Sequence, residues 1–380
     1  MAKELKHSQG YARTGRTAMK LKNIFSNITI SFISLSISIA LCELILSYLN
    51  PNHESIERSL LFSSPTFKLY SSGSVRYYPH QHIREIAVYD NKIVYDVKFK
   101  TNNLGLIDTK DYNKESIKGK SYYAFVGDSF TAGIHGGEPW VPKLRERINN
   151  QGIELYNLGV EGTSFEHFYR LLIDLKRHID ITSIVIVAIS DDFNRPCWYP
   201  VIDKEEIFFY FCGYIDLAVG RIVPIDISND EILRISKEIV NNKNQPPVNG
   251  QANVSSRLFR LLGKSQLFQY GKKALGTFSA NSDNSINIDN ALTNLKAIKA
   301  EFPSAEMHLI HLPAKNEVEN KRYMTSNIAA EIEPLGIRYY PALEKCTWES
   351  TMFYDQDGHP NATGYENVSK CVSQYLFGTH

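Results

Sequence analysis

The segment Ser183-Ile184-Val185-Ile186-Val187-Ala188-Ile189-Ser190 is an almost unbroken β-branched run. A strand with one wet face alternates polar and apolar residues. A run without a polar face suits a central parallel strand covered by helices on both sides. The surrounding segments repeat a pattern of strand, glycine-containing turn and helix. Tyr122 to Gly127 and Ile153 to Gly159 are short apolar runs before it, and Met307 to Leu312 and Ile337 to Tyr340 follow it. Helical patterns fall near Trp140 to Asn149, Phe165 to Arg177, Asp289 to Phe302 and Ala362 to Phe377. This alternation predicts an α/β fold over residues 121–380, with a central parallel sheet between helical layers.

Two stretches depart from that rhythm. Between Ser190 and Met307 the chain is far longer than the loop and single helix an α/β unit needs. It carries the aromatics Trp198, Tyr199, Phe208, Phe209, Tyr210, Phe211 and Tyr214, then amphipathic runs near Asp230 to Asn241 and Ser255 to Lys273. We read residues 195–290 as a large insertion after the third strand. It leaves that strand at its carboxyl end, where open α/β sheets bind ligands. The aromatics equally suit packing within the insertion itself. Residues 50–120 read as a stalk merging into a β-rich preamble, with Ile93 to Phe99 alternating as a strand does.

The first fifty residues bear on location. Ile24 to Leu49 is mostly apolar, with Glu43 its only charge, and about 20 apolar residues cross a bilayer. Lys3, Lys6, Arg13, Arg16, Lys20 and Lys22 precede it against Glu4 alone. The positive-inside rule predicts a cytoplasmic tail over residues 1–23, a single-pass transmembrane anchor over 24–49, and a periplasmic or extracellular remainder. A cleaved signal peptide is the rival, but its apolar region is shorter, about 7–15 residues, and ends in a small-residue site absent here. Outside the cytoplasm disulfides persist, and we expect Cys197–Cys212 and Cys346–Cys371.

Composition excludes other classes. Among 380 residues, 42 Lys and Arg balance 41 Asp and Glu. The basic excess is confined to the N-terminal tail, so no nucleic-acid partner is expected. The cysteines form no CxxC pair, the histidines no HExxH spacing, and Gly133 to Gly137 lacks the ending of a phosphate loop. No metal and no cofactor is expected.

The chemistry lies in two separated motifs. The strand ending at Gly127 runs directly into Asp128-Ser129-Phe130-Thr131-Ala132-Gly133. A serine there projects from the carboxyl edge of the sheet and needs a base to become a nucleophile. Far downstream, Asp357 and His359 lie two apart in Asp355-Gln356-Asp357-Gly358-His359-Pro360-Asn361. A carboxylate this close can hold the imidazole Nδ1 proton and leave Nε2 as the base.

Taken in order, GDSFTAG, NLGVEG (Asn157 to Gly162) and DGHPNATGY resemble the motifs of the SGNH, or GDSL, hydrolases, and TNNLGL (Thr101 to Leu106) is similar to a preamble of membrane-anchored relatives. The resemblance implies a three-layer, flavodoxin-like fold with Ser129 as nucleophile and His359 with Asp357 as the base pair. It also implies an oxyanion hole from the Ser129 and Gly162 N–H groups and an asparagine. Here Asp191 stands at the asparagine position, within Ile189-Ser190-Asp191-Asp192. Three readings follow: a protonated Asp191 donates, Asn194 supplies the amide, or the site is slow or inactive. Asp192, Asn194, Arg195 and His135 are candidate substrate contacts. The expected function is a membrane-anchored serine esterase acting on an acylated small molecule, envelope glycan or lipid ester. An O-acyltransferase, which would need a multi-span partner as acyl donor, and a catalytically impaired envelope binding protein are the alternatives.

Overall fold

The computed structural model describes residues 58–114, 117, 119–149, 152–195, 197–203, 205–211, 214–215, 220–244, 288–325 and 328–378, with scattered helical positions between 31 and 45. Ile56–Gln245 and Ser285–His380 form one unit; Met1–Ser55 and Pro246–Asn284 form a second, of which only those scattered positions are described. Most of the expected anchor, the cytoplasmic tail, residues 50–57 and the run near Ser255 to Lys273 lie outside the described residues. Among the described residues no helix is long and apolar enough to cross a membrane. In the helical positions, Leu35, Ile37, Ile39, Leu41 and Ile45 are exposed, and the Ser38 hydroxyl donates to the Ser34 carbonyl at 2.9 Å, which masks a polar group inside an apolar helix.

The stretch read as a preamble opens with strands β1 (Arg58–Phe62), β2 (Phe67–Leu69), β3 (Val75–Tyr77), β4 (His82–Tyr89) and β5 (Lys92–Lys100). Strands β4 and β5 form a hairpin whose two turn residues, Asp90 and Asn91, both have positive φ (46° and 61°). Two left-handed residues match the twist of a two-residue hairpin, and Asp and Asn tolerate that region best after glycine.

The first part of the insertion joins this preamble. Strands β9 (Trp198–Asp203), β10 (Glu206–Phe211), β11 (Tyr214–Ile215) and β12 (Gly220–Ile222) extend its sheet, with β12 parallel to β1 and Gly220 opposite Leu60. The helix at Asn229–Asn244 covers one face, packing Ile232, Ile235 and Ile239 on Leu61, Ile86 and Val88. Short strands cannot bury a face alone, so two distant segments share one accessory layer. Trp198 is buried against the main core, with its ring 5.7 Å from that of Phe67.

The main sheet has five parallel strands: β6 (Ser121–Gly127), β7 (Ile153–Gly159), β8 (Ser183–Ala188), β13 (Glu306–His311) and β14 (Arg338–Pro341). Their spatial order is β14-β13-β8-β6-β7, which is the 2-1-3-4-5 order of flavodoxin-like sheets. The run at Ser183–Ala188 is the middle strand. Ile184, Ile186 and Ala188 pack on the helices Phe165–Leu175 and Asp289–Glu301 through Phe168, Leu172 and Leu295. Val185 and Val187 pack on the opposite face against Trp140 and Leu144 of Trp140–Ile148 and Val368 and Val372 of Ala362–Phe377. Each such fully buried side chain contributes about 1.5–3 kcal/mol of burial, so both faces hold the strand. The expected Cys346–Cys371 bridge ties the last helix to the segment after β14. Cys212 lies outside the described residues.

The strand order reverses between β6 and β8, which places the crevice for a ligand beyond Gly127 and Ala188. The backbone there is crowded. A Cβ on Gly127 would lie 2.2 Å from the Val187 carbonyl oxygen, and one on Gly159 would lie 2.1 Å from the Ala132 nitrogen. Only glycine lets the turn after β6 press onto its neighbours.

Candidate functional site

Ser129 begins a one-turn helix, Ser129–Ala132, directly after β6. Asp128 caps it by accepting from the Phe130 N–H at 2.9 Å, and Tyr365 of the last helix donates to the Ser129 carbonyl at 3.2 Å. Trp140 Nε1 donates to the Phe130 carbonyl at 2.9 Å. The backbone of Ser129 and Phe130 is therefore held by three side chains.

The Asp357–His359 loop is closed on itself. The Tyr354 N–H donates to the His359 carbonyl at 2.9 Å, and the Gly358 N–H to the Tyr354 carbonyl at 3.0 Å. Asn361 then caps the last helix by accepting from Thr363 and Gly364 N–H at 3.0 and 3.2 Å. This turn points His359 at Ser129 and Asp357 at His359. His359 Nε2 lies 2.8 Å from Ser129 Oγ, and His359 Nδ1 is hydrogen-bonded to Asp357 Oδ1. Tyr89 of β4 donates to the other carboxylate oxygen, and Arg58 Nη2 is 3.9 Å from it. Burial alone would push the Asp357 carboxyl up. The bonds from His359 and Tyr89, with the positive field of His135, override that and hold it well below the usual range. Burial and the neighbouring His135 hold the His359 imidazole below its ordinary pKa, against the pull of Asp357.

His135 is not a substrate contact. It is 1 % exposed, and its ring lies against that of His359, 4.0 Å between centroids and 30° between planes. Its Nε2 is 3.2 Å from Glu161 Oε1 and 3.6 Å from Glu85 Oε1. Tyr77 donates to Glu161 and Tyr95 to Glu85, each at 2.9 Å. Burial disfavours a charged His135, yet the bonds and charges of Glu161 and Glu85 push it up to about 10. Burial, with the Glu161 charge, raises Glu85 to about 7. These three are the only His, Cys, Asp or Glu group among the described residues whose candidate ligand atoms all lie within 4.8 Å of one another. Both oxygens converge on one nitrogen at ion-pair separations, while Nδ1 is buried without a hydrogen-bond partner.

Asp191 behaves as an acceptor rather than a donor. Its carboxylate is 65 % exposed and lies 2.8 Å from Arg195 Nη2. The guanidinium also reaches Asp192 at 2.7 Å, Asp128 at 3.1 Å and the Thr163 carbonyl at 2.8 Å. Asp192, expected as a substrate contact, is buried and accepts from the Ile189 N–H at 3.0 Å. Burial and the Asp128 charge raise its pKa. Asn194 is exposed and ends the turn at Ser190–Phe193. Gly162 lies between Glu161 and Thr163, has φ 71°, and accepts at its carbonyl from Trp198 Nε1 at 2.6 Å.

An open cleft of about 440 Å³ exposes Ser129 and His359, walled by Asp128, Arg195, Lys315 and Asp355 among others. Lys315 pairs with Asp355 at 2.6 Å across it. A second grouping of serine, histidine and acid exists: Ser190 Oγ is 3.0 Å from His311 Nε2 and bonded to Glu317. All three are buried, so this set anchors β8 to the helix Lys315–Asn320 and cannot meet a substrate.

Tyr89, Glu85 and the central place of Arg195 were not expected as site features. Glu161 lies within the NLGVEG block and could have been singled out, being the one acid there.

No protein-family model matches the chain, and no curated protein matches it significantly. It is similar in structure to a GDSL-like lipase from Bacteroides thetaiotaomicron, with 12% identity, TM-score 0.32, and cover of 70% of this chain and 91% of that one. For a psychrotrophic esterase from a Pseudoalteromonas species the values are 13%, 0.33, 68% and 99%. For an acetylxylan esterase from Geobacillus stearothermophilus, solved as a catalytic mutant, they are 12%, 0.35, 69% and 97%.

Proposed function

We propose that the chain is a serine ester hydrolase of the SGNH type, anchored by residues 24–49 with its catalytic unit outside the cytoplasmic membrane. The observation that carries this reading is the 2.8 Å contact of Ser129 Oγ with His359 Nε2, whose Nδ1 is held by a buried carboxylate. Ser129 Oγ attacks the ester carbonyl while His359 takes its proton. The Ser129 and Gly162 N–H groups receive the oxyanion. Collapse expels the alcohol, protonated by His359. Water, deprotonated by the same imidazole, then releases the acid and restores Ser129. Asp357 keeps the imidazole oriented. The charged walls of the cleft favour a short acyl group on a polar alcohol, such as an acylated glycan.

Labelling of the purified protein with an active-serine fluorophosphonate tests the reading. Labelling lost in Ser129→Ala supports it, and absence of labelling in the folded wild type leaves the binding-protein reading. Acetyl release to water, compared with transfer to an added sugar, separates hydrolase from transferase.

A further inference from the structure

We propose that His135 is a positioning residue for the base of this site: an imidazolium locked between Glu161 and Glu85 that fixes the plane of the His359 ring and opposes its protonation in the resting enzyme. The inference rests on the serine-hydrolase reading above.

The geometry carries it. The two rings lie 4.0 Å apart with a 30° tilt between their planes, and His359 has its two nitrogens engaged by Ser129 and Asp357. His135 presents Nε2 to acids from two layers, Glu85 on β4 of the accessory sheet and Glu161 after β7 of the main sheet. Tyr77 and Tyr95 donate to those acids, which fixes the acids and, through them, the ring. The Tyr354 hydroxyl adds a bond to the His135 carbonyl at 2.8 Å.

The carboxylates that act on the paired rings are Glu85, Glu161, Asp357 and Asp128. Arg58 of β1 sits beyond Asp357. Tyr89, Tyr95 and Tyr365 line the same region and are driven further toward their neutral forms by burial. His135 is thus the cation in direct ring contact with His359. A serine nucleophile needs an uncharged imidazole to take its proton, and a fixed positive neighbour disfavours the charged form. The activity then extends to lower pH than an ordinary histidine, with a pKa of about 6.5, would allow.

The test is the pH profile of kcat/KM for an acetyl ester, measured on the full chain and on His135→Gln, which keeps a donor for Glu161 and removes the charge. The acid limb is expected to move up by about one pH unit, together with a fall in the high-pH plateau from the lost ring contact. A uniform fall with an unmoved limb would overturn the proposal. Nitrogen-15 spectra of labelled histidines in the wild type give a second arm that needs neither the variant nor activity. His135 Nδ1 is buried without a hydrogen-bond partner, so its shift reports directly whether it carries a proton. A doubly protonated His135 at pH 7, titrating near 10, is expected; a neutral one overturns the proposal. Failure of fluorophosphonate labelling would instead strike the hydrolase reading, and leaves the two outcomes distinct.

Discussion

Tyr89 and Asp357 are 268 positions apart, yet the phenol donates a hydrogen bond to the carboxylate oxygen that His359 leaves free. Through this contact the accessory sheet enters the candidate active site. Tyr89→Phe should leave the fold intact and strip one donor from a buried carboxylate. A loss of roughly tenfold in kcat, equal to about 1.4 kcal/mol, is expected in steady-state kinetics.

Ser129, His359 and Asp357 should behave as one unit. Ser129→Ala abolishes esterase activity without a change in melting temperature, and His359→Ala costs nearly as much. The double variant loses little more than either, because losses within a catalytic unit are not additive. Equal and additive losses in the three kinetic comparisons would contradict the shared role.

Replacing the exposed Asp191 should matter little. Asp191→Asn is expected to change kcat/KM by less than about threefold, since its side chain faces solvent and Arg195. Arg195→Lys should cost more, about tenfold, because its guanidinium ties Asp128, Asp191, Asp192 and the Thr163 carbonyl together and an ammonium cannot hold all four. The same pair of assays ranks the two residues directly.

Stability should depend on pH through His135. Its folded pKa, about 10, lies above the unfolded value of about 6.5. The folded state binds the proton more tightly, so its contribution is fully present below about pH 6.5 and is lost as pH rises toward 10. Melting temperature should fall across that window, and His135→Gln should flatten the slope.

Opening the Cys346–Cys371 bridge should lower stability by about 3 kcal/mol, the chain-entropy scale for a loop of this order. Denaturant unfolding of the Cys346→Ser, Cys371→Ser double variant reads this, and non-reducing peptide mapping reads the pairing.

The main sheet was legible because its strands carry their own signature. Ile184–Ala188 has no polar residue inside it, and the helices that cover it have apolar stripes of the right period. Ser129, Asp357 and His359 could be read as neighbours because each follows a strand or precedes a helix at one edge of that sheet. The accessory layer was not legible. Gly220–Ile222 is a strand of three residues whose partner, Leu60, lies in another part of the chain, and no local periodicity announces such a pairing. Glu85 and Tyr89 look like ordinary members of a strand. What makes them part of the site is the long-range packing of β4 under the last loop, and no short-range signal encodes that.

Strand β1 also sets an order of events. Arg58–Phe62 emerges early in synthesis and finds β4 within a few dozen residues, but its other edge is completed only by Gly220–Ile222. Until then that edge is an open template, available to any passing strand. Only β6, β7 and β8 of the main sheet precede Gly220–Ile222 in the chain; β13, β14 and the Asp357–His359 loop all follow it. Every strand of the sheet that carries Glu85 and Tyr89 therefore precedes Asp357 and His359 in the chain, and slow, non-local pairing of the kind that joins β1 to β12 governs how fast such a chain becomes competent.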